Sequence, residues 1–185
     1  MTKAVPISER QEDGAMLITG CPRSATQSVA EYFQNHGVAL GHQMAGEMGT
    51  VEWRHAYSEK PDFVIILALV RDPLDTVRSL TELLMNCDRK SDTWKAIAEQ
   101  SVLGNWDRKL KDCSWVGAAT NWWTTVYERL YQYPLLKVEH LPKLPDTNRH
   151  PRVGLNFNLR KRLKDCKDFW RVARMYGYYL EDSSE

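Results

Sequence analysis

Two short stretches of this chain carry residue types and spacings suited to holding anions. The first reads Leu17-Ile-Thr-Gly20-Cys21-Pro22-Arg23-Ser24-Ala25-Thr26-Gln27-Ser28, an apolar run, a compact loop, then the start of a helical pattern. N–H groups at a helix start have no partner inside the helix and carry partial positive charge, so phosphate and sulfate bind there. Arg23 adds a full charge, and Ser24, Thr26 and Gln27 add side-chain donors. The second stretch reads Val70-Arg71-Asp72-Pro73-Leu-Asp-Thr-Val-Arg78-Ser79. Arg71 follows an apolar run, and an arginine can make a two-pronged contact to a phosphate. Arg78 reads as a solvated helix residue.

The first loop differs from the loop that cradles nucleoside triphosphates. That motif has the form G-x-x-x-x-G-K-[ST]. Counting from Gly20, Ala25 stands at its second glycine and Thr26 at its lysine, so the group that reaches a γ-phosphate is missing.

Both stretches need a scaffold that holds them at one edge. Residues 16–19 are apolar and meet Gly20, a strand ending in a turn. Val29, Tyr32, Phe33 and His36 then fall at helical spacing, with Gly37 at the C-terminal position glycine favours. His36 reads as a helix-end residue. Residues 38–40 suggest a second short strand, and the glycine-rich 41–55 stretch reads as a loop with some helix. Residues 63–70 are apolar on both alternating faces, as in a central parallel strand covered by helices. Asp72 then caps a helix that has Pro73 at its first position and Val77, Leu80 and Leu84 on its inner face. Further helices are expected from a Ser91 cap, over 116–133, and over 168–176. The last of these turns Phe169, Val172, Ala173 and Tyr176 inward. A last strand covers 135–138, where Glu139 can orient a loop, and a proline-bearing loop covers 142–151. Strands alternating with helices indicate an α/β fold, a three-layer α/β/α sandwich with a mainly parallel sheet. Ligands in such folds lie at the carboxyl ends of strands, where both anion-binding stretches fall.

Bulk properties set limits on function. The chain has 185 residues, 43% hydrophobic and 26% charged, values of a globular domain. The division expected is a flexible lead over 1–13 and a single domain over 14–185. Lys plus Arg number 25 against 24 Asp plus Glu, a net charge of +1, which gives no general reason to expect nucleic acid as partner. Any anion site must be built locally. The four cysteines form no C-x-x-C pair. The N-terminal residues lack a signal-peptide core, and the 63–70 run is too short to span a bilayer. A cytoplasmic protein with reduced thiols is expected. The 7 tryptophans are expected chiefly in the core.

The stretch Gly20-Cys-Pro-Arg-Ser-Ala-Thr-Gln27 resembles the G-x-P-[RK]-S-G-T motif of sulfotransferases, matching at Gly20, Pro22, Arg23, Ser24 and Thr26 and departing at Ala25. That motif binds the 5′-phosphosulfate of the donor 3′-phosphoadenosine-5′-phosphosulfate (PAPS). Arg71-Asp72-Pro73 with Ser79 resembles the second signature of the family, R-[DN]-P…S, which binds the 3′-phosphate. The resemblance extends from about Leu17 to Tyr178. Gly41-His42-Gln43 with Gly46-Glu47, Leu136-Lys-Val-Glu139-His-Leu141 and Tyr176-Gly177-Tyr178 are similar to regions of small bacterial and viral sulfotransferase-like proteins.

The resemblance implies a fold related to P-loop nucleoside triphosphate hydrolases. It also implies transfer of a sulfuryl group from PAPS to a hydroxyl or amine by in-line displacement, with 3′-phosphoadenosine-5′-phosphate (PAP) as product and no metal required. The donor would lie on Gly20, Cys21, Pro22, Arg23, Ser24, Ala25, Thr26, Gln27, Arg71 and Ser79. Arg23 and the loop amides would stabilise charge growing on the leaving oxygen. The acceptor must lose a proton, and family members place a base after the first helix. His42 and Glu47 are the candidates here, ahead of Glu52, while Gln43 stands where many relatives carry Glu. The acceptor expected is a small molecule or carbohydrate, not nucleic acid. Arg160-Lys161-Arg162 reads as a solvated face or an anion contact. Two other readings stay open: a catalytically silent nucleotide-binding module, and a P-loop small-molecule kinase.

Overall fold

The computed structural model describes residues 15–57, 63–86, 114–142, 144 and 158–179. The apolar run after Ala15 forms strand β1 (Met16–Gly20), whose Leu17 and Ile18 are wholly buried. Four more strands join it: β2 (Leu40–His42), β3 (Gly49–Val51), β4 (Ile65–Val70) and β5 (Leu135–Lys137). The sheet order is β2-β3-β1-β4-β5, and every pairing between these strands is parallel.

Among the described residues, five helices follow from the patterns around them: α1 (Thr26–Asn35), α2 (Pro73–Asn86), α3 (Trp115–Leu130), α4 (Leu159–Leu163) and α5 (Lys167–Met175). Pro73 opens α2 as expected, and the Asp72 carboxylate accepts from the Asp75 amide at 2.9 Å, which satisfies a donor the helix leaves over. Strand alternation then sorts the core into two clusters. Ile18, Leu40, Val51 and Leu69 meet Val29 and Ala30 of α1 on one face. Ala68 and Val70 point the other way, into a larger cluster with Val77 and Leu80 of α2, Trp123 and Val126 of α3, Leu163 of α4 and Phe169 and Val172 of α5. The protein is thus an α/β fold with helices on both faces of a parallel sheet. Trp53, Trp122, Trp123 and Trp170 are buried in the larger cluster, so these tryptophans serve packing.

Several expectations are corrected. The 41–55 stretch holds a strand, β3, and a 3-10 turn (Arg54–Tyr57). The strand expected at 38–40 lies at Leu40–His42. The strand expected from residue 63 begins at Ile65, and its start is not covered, with Val64 72% and Ile65 45% exposed. The 116–133 helix ends at Leu130. The lead over 1–13, the helix after Ser91 and most of the 142–151 loop lie outside the described residues. Among the described residues, no helix is long and apolar enough to cross a membrane.

Parallel pairing has a direct consequence for function. All five strands end at one edge. Along it stand, in sheet order, His42 closing β2, Glu52 after β3, Gly20 closing β1, Arg71 after β4, and Glu139 in a 3-10 turn (Val138–His140) after β5.

Candidate anion-binding site

The loop after Gly20 is fixed by a single phenol. Tyr127, fully buried on α3, donates its O–H to the Leu69 carbonyl at 2.7 Å. Its proton committed, the same oxygen accepts from the Ser24 hydroxyl at 2.9 Å and from the Cys21 amide at 3.4 Å. The Ser24 amide closes a tight turn onto the Cys21 carbonyl at 3.1 Å. Gly20 is required by crowding, since a Cβ there would lie 2.2 Å from the Leu69 carbonyl oxygen. Burial pushes both the Tyr127 phenol and the Cys21 thiol well above their ordinary values. Cys21 is therefore a neutral, inert thiol that contributes backbone rather than nucleophile.

Two loop residues sit in the left-handed region, Arg23 at φ 71° and Ala25 at φ 63°. Ala25 caps α1, and the helical ladder begins with the Val29 amide on the Ala25 carbonyl. The amides of Thr26 and Gln27 come before that ladder and have no carbonyl inside the helix. The start of α1 is a candidate anion cradle, with alanine held where glycine fits more easily.

The second stretch meets the first here. Arg23 donates its Nε–H to Ser79 Oγ at 2.8 Å, from the loop to the second turn of α2. Burial lowers the Arg23 guanidinium from its ordinary value, Glu82 opposes that shift, and the like charge of Arg71 adds to it. Arg71 bonds Asp75 at 3.3 Å in an exposed pair four residues apart along the chain. Gln27 bonds Glu31 on its own helix at 3.0 Å.

The three candidate bases are sorted by the sheet. His42 Nε2 shares a 3.2 Å hydrogen bond with Thr26 Oγ1, which puts the imidazole directly on the cradle. Glu52 lies at the same edge but is 2% exposed, with its carboxylate bound by the Arg54 amide at 3.0 Å and the Arg54 guanidinium at 3.4 Å. Burial raises its pKa above the ordinary carboxyl value despite those bonds. Glu47 is not brought to the site. It sits in the turn between Gly46 and Gly49, beside Met48, which bonds Met16 and Ala39 at the amino ends of β1 and β2. That is the opposite end of the sheet, about 10 Å away at the rise of a strand. The physical reason is β3: its three residues carry the chain from one edge to the other between Glu47 and Glu52.

Further along the edge, Glu139 accepts from the Asp72 amide at 2.6 Å and from the Tyr178 hydroxyl at 2.9 Å. A cleft of about 260 Å³ opens beside it, lined by Asp72, Leu74, Arg160, Trp170, Tyr178 and Tyr179 among others. Of the basic run, Arg160 lines this cleft while Lys161 and Arg162 are exposed. His36 stacks on Tyr32 at the end of α1, away from the cradle.

Tyr127 escaped the sequence reading because it lies on the apolar stripe of α3 and looks like core. The one available signal is general: a buried tyrosine needs a partner for its hydroxyl. The chain matches no family model, and no curated protein or solved structure is significantly similar to it.

Proposed function

We propose that this protein is a PAPS-dependent sulfotransferase on a P-loop-related α/β scaffold. The observation that carries the reading is the Arg23–Ser79 hydrogen bond of 2.8 Å. It joins the two separate stretches that resemble the family's 5′-phosphosulfate and 3′-phosphate motifs. A ligand with one anionic group on the cradle and another near Arg71 and Ser79 suits this pair of cations, Arg23 and Arg71. Since Ser79 accepts from Arg23, its own proton remains to be donated to a phosphate oxygen. Arg23 and the amides of Thr26 and Gln27 then face the phosphosulfate, where negative charge grows on the leaving oxygen.

The acceptor oxygen or nitrogen forms a bond to sulfur while the sulfur–oxygen bond to the 5′-phosphate breaks. PAP leaves with that electron pair, and the acceptor's proton passes to a base. His42 is the base we propose, since its imidazole lies against Thr26 in the cradle. Glu52, bound to Arg54 and nearly inaccessible, serves as a fixed carboxylate at the strand end.

Incubation with PAPS carrying radiolabelled sulfate and a panel of hydroxyl and amine acceptors tests the activity. Labelled product is expected, and His42→Ala should reduce its rate by about 100-fold or more with PAP affinity retained. PAP binding without transfer to any acceptor would instead make the protein a binding module. Magnesium-dependent phosphoryl transfer from ATP would make it a kinase.

A further inference from the structure

A carboxylate outside both motifs grips the peptide that aims Arg71. Glu139 stands in the turn after β5, the edge strand that pairs with β4 through Val70↔Lys137. One of its oxygens accepts from the Asp72 amide at 2.6 Å. That N–H belongs to the peptide unit formed by the Arg71 carbonyl carbon. Since a peptide is planar, holding its N–H fixes the backbone torsion on the carboxyl side of Arg71. The contact also places a carboxylate at the start of α2, where helix charge favours it, in the manner of a capping box supplied by a neighbouring strand.

The second oxygen is held from the far end of the chain. The Tyr178 hydroxyl donates to it at 2.9 Å, and Lys137 Nζ lies 4.5 Å from the centroid of the Tyr178 ring. Burial and the carboxylate both push the Tyr178 phenol well above its ordinary value, so it stays a donor throughout the working pH range. Gly177, at φ 75°, makes the bend that brings Tyr178 back to the sheet edge after α5. The β4–α2 turn, β5 and the segment after α5 are thus joined at a single side chain.

We propose that Glu139 is a positioning residue for Arg71, clamped by Tyr178, and that it sets the protein's discrimination for a nucleotide bearing a 3′-phosphate. This rests on the donor reading above, in which Arg71 meets that phosphate. Without Glu139 the Arg71 side chain keeps its charge and its pair with Asp75 but loses its fixed origin.

The test is calorimetric affinity for PAP and for adenosine 5′-phosphate, which differs only in lacking the 3′-phosphate. The ratio of the two affinities is the readout, because a general loss of structure would weaken both ligands together. Glu139→Ala should lower the ratio at least about fivefold with adenosine 5′-phosphate binding little changed. Glu139→Gln keeps an oxygen for the Asp72 amide and can donate to Tyr178, so it should restore most of the ratio. Tyr178→Phe removes one of the two anchors and should lower the ratio about two- to threefold, which carries the test if Glu139→Ala does not fold. An unchanged ratio in both Glu139→Ala and Tyr178→Phe, in a protein that binds PAP, overturns the role of Glu139 alone. Failure of the unaltered protein to bind PAP overturns the donor reading, and this proposal with it.

Discussion

Arg23 and Ser79 lie 56 positions apart in sequence, yet the Arg23 Nε–H donates to Ser79 Oγ at 2.8 Å. The bond crosses from the loop after β1 to the second turn of α2 and makes one site of two stretches. Ser79→Ala should remove the acceptor from a half-buried guanidinium and cost about 1–2 kcal/mol of stability. It should also weaken binding of a nucleotide bisphosphate. Denaturant unfolding beside ligand titration checks both. A loss of stability without any effect on binding would make the contact purely architectural.

Tyr127→Phe tests the pin beneath the loop. The ring, packed against Trp123 and Tyr176, would stay in place. The Leu69 carbonyl, the Ser24 hydroxyl and the Cys21 amide would each lose a partner in a buried setting. The expected cost is about 2–3 kcal/mol in equilibrium unfolding, with a larger proportional loss of anion binding than of stability-neutral surface variants.

Ala25→Gly addresses backbone strain. Ala25 holds φ 63° at the start of α1, where a Cβ is unfavourable. Glycine should relieve about 1 kcal/mol of that strain, partly offset by the freedom it gives the unfolded chain. Thermal unfolding should find the variant at least as stable as the parent. A clear loss of stability would mean that the Ala25 methyl makes contacts worth more than the strain.

The apolar runs of β1 and β4, the Asp72-Pro73 start of α2 and the inward face of α5 are written locally, in alternation, cap chemistry and helical spacing. β3 is not. Gly49-Thr50-Val51 is too short for its own pattern, and it is a strand because β1 and β2 flank it. Gly49 even takes φ +129°, where the Met16 carbonyl leaves no room for a Cβ. With β3 unseen, nothing in the sequence tells that Glu47 and Glu52, five residues apart, stand at opposite ends of the sheet. His42 was legible as a candidate, but its contact with Thr26 depends on the pairing of β2 with β3. Tyr127 and the Glu139–Asp72 contact join elements 58 and 67 positions apart, distances over which local pattern carries no information.

Glu52 makes the stability of the fold depend on pH in a stated direction. Burial, the largest effect on this carboxyl, raises its pKa above the ordinary 4.5, and the bonds from Arg54 oppose the shift without cancelling it. The folded protein therefore holds this proton more tightly than the unfolded chain does. The contribution of Glu52 to stability falls as pH rises from about 4.5 through the raised folded value, and levels off above it. Glu52→Gln should flatten that part of the stability–pH curve. Equal slopes in the two proteins would contradict the assignment.

A site for two anionic groups of one nucleotide should reveal itself in calorimetry with PAP. Titrations would be run with and without magnesium, with ATP as the control ligand and with Arg71→Ala beside the unaltered protein. Binding of PAP should need no metal, exceed that of ATP, and fall by about 10- to 100-fold in Arg71→Ala. No binding of PAP, or binding of ATP that depends on magnesium and ignores Arg71, would contradict it.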